Sequence, residues 1–571
     1  MPSTGARLGA PAVDDVEKFE EPPAALGGPN RPVPPAGRAP TLNRLLRDRF
    51  WLLVPLLALL ATAIAAVHVR RVSLWVDEAY TVSVATRSLT DIWRMVHTID
   101  VVHALFNTAL HPWFAVAGVS EITVRLPSLL AVGIATAGVM VLARRLFGSS
   151  IAVAAGLIFA VLPRVTWMGI EGRSYATTVA VAVWWTVLFV GVLRRPRWYG
   201  YLGYAVVTAV AGSLNIFLVL LVGAHGLTLL LDRRLRWRRT FWTWLAAAAI
   251  GVLGAAPVLL TAAGQSAQIG PTRYGPLGYL RSVVVNQWFL GDTPTVYLAG
   301  GRVLDGGGSG VWKLAAVGLA LLCWALIAYG LLAAGSVTAR PAARDVPEPR
   351  VLLVAWLVVP TVILVGYAML GSTPIYNPRY LSYGAPAVAI LTALGLHTLI
   401  TRPAAVSRRR TVGAIAALAV IALAVPVYAS QRTPTAKSGA DWAGAAAFVA
   451  AQRTLGSEGV YFAPRSATAT DSTSGTTSRT LATIYPDAVA GMRDVTLVST
   501  PAADANLTGR SLSLAAARPR LQGLDDVFVV RRADYPSDQR TTDERVLAGA
   551  GLTRRAQWTG PLNTVEVYRR G

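Results

Sequence analysis

The chain has 571 residues, 54% of them hydrophobic and only 15% charged, with a formal net charge of +23. A soluble protein of ordinary composition carries about 25% charged residues, so the balance excludes that class, and a mean hydropathy of +0.48 points to a multi-span membrane protein. The positive charge is mostly arginine at the ends of apolar runs, which follows the positive-inside rule and suits contact with membrane lipid; no nucleic-acid partner is expected. One cysteine, Cys323, excludes an intrachain disulfide and a thiolate metal site.

Residues 1–49 are rich in Pro, Ala and charge and have no early apolar stretch, so they read as a disordered cytoplasmic tail with no cleavable signal peptide. About eleven spans follow, near 50–69, 127–143, 150–163, 175–193, 200–215, 216–231, 241–262, 311–335, 351–370, 381–400 and 412–429. Arginine clusters at Arg44/Arg47/Arg49, Arg144/Arg145, Arg194/Arg195/Arg197, Arg233 to Arg239, Arg340 to Arg350, and Arg402 with Arg408–Arg410 all fall on one side of this path. The positive-inside rule makes that side cytoplasmic. The run 101–118 could be counted as a span, but doing so would move Arg144 and Arg145 outside; it reads instead as an interfacial or re-entrant helix.

The segments 70–126, 164–174, 263–310 and 371–380, and everything after 430, are then expected outside the plasma membrane. The last stretch has a soluble composition, with short β-like runs at Val460, Asp494, Asp526 and Thr564 and helix-like stretches at 440–454 and 541–551. The Ser/Thr-rich stretch 466–479 reads as a loop. The expected fold is mainly α: a polytopic transmembrane bundle over 50–429, followed by a small extracytoplasmic α/β domain over 430–571.

The polar residues of the outer segments are few and grouped. Asp77 and Glu78 stand side by side just past the first span, either as a solvated loop start or as a general base with a supporting acid. The same segment holds Asp100, His103 and His111; the two histidines are about two helical turns apart and could share a face. They could bind phosphate or sugar, or, as the weaker reading, a divalent cation; no metal ligand is assigned. Further on come Glu171, Arg173 and Tyr175, and then Arg379 and Tyr380. Arginine on the outer side runs against the positive-inside rule and calls for an anion: Glu171 or a lipid phosphate for Arg173, and a lipid phosphate for Arg379, which has no acid nearby in sequence. The segment 263–310 adds Arg273, Tyr274 and Arg281, and Asn286, Gln287 and Trp288, an amide and aromatic group suited either to sugar or to the membrane interface.

Asp77-Glu78, His103, Ser120-Glu121 leading to Arg125-Leu-Pro-Ser128, the Ala143-to-Gly148 run, Glu171-x-Arg173-x-Tyr175 and Pro378-Arg379-Tyr380-Leu381 occur in this order over roughly 50–400. The set resembles the GT-C superfamily of membrane glycosyltransferases, in particular glycosyltransferase family 39, the protein-mannosyltransferase-like group, in its actinobacterial form. Where that family commonly has His-Pro-Pro, this chain has His103-Ala-Leu. The resemblance implies a polyprenyl-phosphate sugar donor, often mannose, and inverting transfer at the outer face to a glycan, lipoglycan or protein acceptor. Asp77 would be the base, Glu78 a supporting acid, and Arg173 and Arg379 the donor-phosphate ligands. An axial leaving group attacked from the opposite side then predicts Asp77 facing Arg379 across a cavity. The alternatives are an arabinosyl or other transferase of the same superfamily, a lipid or sugar transporter, and a non-enzymatic scaffold.

Overall fold

The computed structural model describes residues 46–235, 237–266, 274–291, 295–297, 303–305, 310–333, 347–371, 373–401, 406–454, 456–465 and 477–571. Most of the N-terminal tail, Arg273, much of the Arg340–Arg350 cluster and residues 466–476 of the Ser/Thr-rich stretch lie outside these residues.

Every apolar run of the sequence is helical: Phe50–Ala66, Glu121–Phe147, Ser149–Val161, Tyr175–Arg194, Trp198–Leu214, Ile216–Leu231, Arg239–Gly264, Val311–Ala333, Pro349–Leu370, Pro378–Thr401 and Val406–Ser430. Among the described residues, seven helices are long and apolar enough to cross a membrane, or eight if Ser149–Val161 and Pro163–Gly169, bent by 61°, form one span. That is fewer than the eleven or so expected. The difference is one of length: a helix such as Phe50–Ala66, with 17 residues, rises only about 25 Å at 1.5 Å per residue, short of a hydrocarbon core of about 30 Å.

Glu121–Phe147 and Pro378–Thr401 are central, with 72% and 78% of their apolar windows buried, whereas Arg239–Gly264 and the helix ending at Ser430 are peripheral at 28% and 22%. Small residues let the central helices approach closely. A Cβ on Gly395 would sit 1.9 Å from the Leu326 carbonyl oxygen, so Val311–Ala333 and Pro378–Thr401 meet backbone to backbone.

The segment 70–120 is built from Val76–Ala85, Leu89–Val96, a short 3₁₀ turn at Val101–His103, and Ala104–Ala117. The last has 14 residues, about 21 Å, too short to cross a bilayer, in keeping with the interfacial or re-entrant reading. The next helix starts at Glu121 rather than near 127. Ser120 caps it by accepting from the Thr123 N–H, and the Thr123 hydroxyl accepts from the Ser120 N–H. Arg125 is thereby drawn from the expected loop into a helix.

The C-terminal part forms a five-stranded sheet in the spatial order Arg493–Asp494, Glu458–Ala463, Asp526–Arg532, Asn563–Arg570, Leu552–Thr559. The first two pairings are parallel and the last two antiparallel. Helices Trp442–Gln452 and Ser537–Gly549 accompany it. The strand Leu552–Thr559 is mostly exposed and arginine-rich, as befits a sheet edge, and that composition is why the sequence reading passed over it. This part packs on the 70–120 segment: the Leu74 N–H donates to the Tyr485 hydroxyl at 3.2 Å and Arg87 donates to the Asn506 carbonyl at 2.7 Å.

Candidate active site

Asp77 and Glu78 occupy the first turn of Val76–Ala85. Neighbours on a helix point about 100° apart, and the structure gives these two carboxylates different surroundings. Glu78 is fully buried and accepts Arg125 through both oxygens, from Nε at 2.8 Å and from Nη2 at 2.8 Å. It also accepts the Gly172 N–H at 3.0 Å. A Cβ on Gly172 would fall 2.4 Å from Val124 Cγ1 and 3.3 Å from Glu78 Cγ, so the close approach needs glycine. Arg125 donates further to the carbonyls of Val69, Val72 and Ser73. Burial works to raise the Glu78 carboxyl, and the Arg125 charge and hydrogen bonds overcome it and hold it below its ordinary value. With both oxygens engaged, Glu78 fixes the loop and the start of its own helix.

Asp77 turns to the other arginines. Its Oδ2 lies 2.8 Å from Arg379 Nη1, with side-chain exposures of 15% and 21%. Arg379 begins the turn Pro378–Gly384, where its N–H is capped by the Asn377 side chain at 3.2 Å. The Arg379 guanidinium lies 5.5 Å from the Trp75 ring and 5.9 Å from the Tyr175 ring. Two expectations are corrected here. Arg379 does have an acid, Asp77, brought from 302 positions away by the fold, and the two touch directly instead of facing one another across a cavity. Burial would raise the Asp77 carboxyl, but the charges of Arg379, Arg173 and Lys437 outweigh it and leave it below the usual carboxylate range.

Arg173, 7% exposed, donates to the Thr81 hydroxyl at 3.3 Å. Burial opposes its charge, and Asp77 and Asp100 more than restore it. Its sequence neighbour Glu171 is not its partner. Glu171 accepts the Trp75 indole N–H at 2.9 Å and is ion-paired with the fully buried Lys437. Lys437 also lies 5.8 Å from the Trp75 ring and 5.2 Å from the Trp167 ring. Trp75 is thus fixed by Glu171 and Lys437 while Arg379 lies near its ring.

Asp100, at a left-handed φ of 62°, places its carboxylate 3.9 Å from His103 Nε2. Burial, opposed by Arg173 and reinforced by Asp77, pushes Asp100 up to about 6. Burial and the nearby Arg173 and Arg379 charges hold His103 well below its ordinary value, so it is neutral. Tyr80, one turn on from Asp77, is pushed up to about 12 by burial and by Asp77. A carboxyl whose folded pKa exceeds its unfolded value binds more protons in the fold, so its contribution to stability falls as pH rises from about 4 to about 6. Asp100→Asn is expected to remove that loss, on the order of 3 kcal/mol at most. Its melting temperature, measured at pH 4.5 and at pH 7, should therefore gain on the parent more at the higher pH.

The remaining candidates are placed as follows. His111 Nδ1 is 3.0 Å from the Ala85 carbonyl, at the far end of the Asp77 helix. Tyr380 stacks on Phe217, with ring centroids 5.2 Å apart. Gln287 and Trp288 are buried: Gln287 donates to Thr361 at 3.1 Å and accepts from Tyr376 at 2.9 Å, and Trp288 packs on Trp324. The carbonyls of Asn286 and Gln287 both accept from Arg164. The Gln287 side chain is thus occupied within the protein interior, whereas the Asn286 side-chain oxygen and the Trp288 indole N–H have no hydrogen-bond partner among the described residues. Among the described residues, no three His, Cys, Asp or Glu side chains gather in a way that would hold a metal ion. Sequence reasoning missed Lys437, which stands alone in a soluble-looking stretch, and the Arg125 partner of Glu78, which it had quoted only as part of a motif.

Three separate regions of the chain therefore meet, bringing a carboxylate and two guanidinium groups together. The architecture matches that of ArnT from Cupriavidus metallidurans: TM-score 0.53 and 14% identity in the apo state, and 0.51 and 14% bound to undecaprenyl phosphate, each covering 91% of this chain and 98% of that one. An oligosaccharyltransferase from Archaeoglobus fulgidus aligns at TM-score 0.46 and 11% identity, over 90% of this chain and 74% of that one. The chain has the GT-C fold. Residues 105–260 match the family described as dolichyl-phosphate-mannose-protein mannosyltransferase. No curated protein matches it.

Proposed function

We propose that this chain transfers a sugar, mannose in the first instance, from a polyprenyl-phosphate donor to an acceptor outside the plasma membrane, with Asp77 as general base. In this reading residues 1–49 are cytoplasmic, 50–429 form the catalytic bundle, and 430–571 lie outside. The observation that carries it is the convergence of Asp77, Arg379 and Arg173. The acceptor hydroxyl gives its proton to Asp77 as its oxygen bonds to the anomeric carbon from one side. The bond from that carbon to the phosphate oxygen breaks on the other, and the charge on the departing lipid phosphate falls to the arginines. Undecaprenyl phosphate is the lipid bound by the ArnT neighbour, which favours a polyprenyl carrier here.

The direct Asp77–Arg379 contact fits this cycle as a resting state. A guanidinium that leaves the carboxylate for the donor phosphate raises the Asp77 pKa, so the base strengthens when the donor is in place. The test is to incubate purified protein with polyprenyl-phosphate-mannose and with its arabinose analogue and follow release of the lipid phosphate; consumption of neither would refute the proposal. Arg379→Gln is expected to raise the donor KM about tenfold or more, as loss of a charge-assisted contact should. It should also move the acid limb of the kcat/KM profile to higher pH, because the cation that depresses Asp77 is gone. An unmoved limb would separate Arg379 from the base.

A further inference from the structure

The turn that carries Asp100 and His103 is set from the helix Arg239–Gly264. Gln265, the residue that ends that helix, donates from Nε2 to the Val96 carbonyl at 2.9 Å and accepts the Val101 N–H on Oε1 at 3.0 Å. These two contacts bracket residues 97–100, and Val96 and Val101 share one buried cluster with Ala262 of the same helix. Inside the bracket Asp100 takes φ 62° and ψ 29°, a left-handed backbone that costs free energy for a residue with a side chain. Its carbonyl accepts the His103 N–H at 3.1 Å, so whatever sets Asp100 also sets His103. The two side chains are 15% and 14% exposed, as open as Asp77 at 15%. At 3.9 Å the Asp100 carboxylate and His103 Nε2 stand too far apart for a direct hydrogen bond, and His103 Nδ1 is buried with no hydrogen-bond partner among the described residues. The charges of Asp77 and Arg173 act on Asp100, and those of Arg173 and Arg379 act on His103.

We propose that Asp100 and His103 hold the hydroxyls of the sugar being transferred, and that Gln265 is the positioning residue that keeps them in place. The inference rests on the proposed transfer reaction and names the groups that select its sugar. In the donor, sugar and phosphate share a bond, so polar groups near both the base and the phosphate arginines border the sugar ring. A carboxylate accepts hydroxyl hydrogens, and a neutral imidazole accepts on one nitrogen and donates from the other; together they suit a ring that carries several hydroxyls. The Asp100 charge would repel the donor phosphate, which leaves that part of the donor to Arg173 and Arg379. An apolar group in the same place would leave His103 desolvated without a partner. Gln265 touches neither the sugar nor Asp77 in this reading. It acts through the backbone: without its two hydrogen bonds the turn is free to leave the left-handed conformation, and both polar groups move with it. A displacement of about 1 Å in such a site can cost about a hundredfold in rate.

The test pairs each variant with donors that lack one hydroxyl. The donors are polyprenyl-phosphate-mannose or its arabinose analogue, whichever the parent protein consumes, and the monodeoxy forms of that sugar. In the parent, removing the hydroxyl held by Asp100 is expected to lower kcat/KM about ten- to a hundredfold, as loss of a hydrogen bond to a charged group does. In Asp100→Asn that penalty should shrink severalfold. Gln265→Met keeps the reach of the side chain and neither hydrogen bond. It is expected to lower kcat/KM for the complete donor about tenfold or more and to shrink the same penalty. Loss of fold stability alone would lower both donors alike and leave their ratio unchanged. Gln265→Asn, whose amide is one methylene short of both contacts, gives the same reading if the methionine variant does not fold. A penalty unchanged in Asp100→Asn overturns the sugar contact, and one unchanged in the Gln265 variants overturns the positioning. Failure of the parent protein to consume any polyprenyl-phosphate sugar would instead defeat the transfer reaction itself, so the failures are distinguishable.

Discussion

Asp77→Asn is expected to lower turnover for sugar transfer by about a hundred- to ten-thousand-fold, the range a positioned general base supplies. Asparagine keeps the size and planarity of the side chain, so the helix Val76–Ala85 and its packing on the C-terminal part should persist. What is lost is the ability to take a proton. The substitution also releases Arg379, whose nearest carboxylate is Asp77 at 2.8 Å, so the donor phosphate meets less competition for that guanidinium. The donor KM should therefore stay level or fall while kcat collapses, a split that separates loss of the base from loss of binding. Steady-state transfer by the purified protein in lipid discs measures both constants. A variant that turns over like its parent would remove Asp77 from the chemistry and leave Asp100, whose carboxyl is pushed up to about 6 in the same cluster, as the group to test next.

The second large effect concerns folding. Arg125→Met strips Glu78 of both its guanidinium hydrogen bonds and leaves the carbonyls of Val69, Val72 and Ser73 without that donor. Breaking a fully buried ion pair from one side costs about 3–5 kcal/mol, because the other charge stays behind. Arg125→Met should lose folded protein or a correspondingly large part of its unfolding free energy. Glu78→Met with Arg125→Met together should recover a good part of that loss, since the uncompensated charge has gone. Denaturant unfolding of the three proteins in detergent reads this directly. Equal stability of the single variant and its parent would mean that the pair does not hold the loop.

The helices were legible because lipid imposes a simple rule: an apolar run must satisfy its own backbone, and it does so as a helix. Asp77, Arg173 and Arg379 were legible for the complementary reason, since charge placed against the membrane's preference needs a cause. Their partners were not legible. Which acid meets which base is decided by the packing of loops hundreds of residues apart, so sequence proximity suggested Glu171 for Arg173, where the fold gives Glu171 to Lys437. Gln287 and Trp288 carry the composition of a sugar site and the burial of a core, and composition alone cannot separate the two. The edge strand Leu552–Thr559 escaped because an exposed edge need not show the apolar alternation that marks a half-buried strand.

The stretch that leaves the final helix returns into the bundle. Gln431 donates to the Pro163 carbonyl and accepts from Thr166, Arg432 donates to the carbonyls of Ala65, Val67 and Thr166, and Lys437 closes on Glu171. All three side chains are nearly inaccessible. The seam between the membrane part and the sheet is thus a keystone rather than a tether. A chain cut after Ser430 would withdraw the cation that faces Glu171 and, through Trp75, the footing of Arg379. Swapping the terminal sheet for that of another transferase would then succeed only when the seven residues of the seam travel with the bundle.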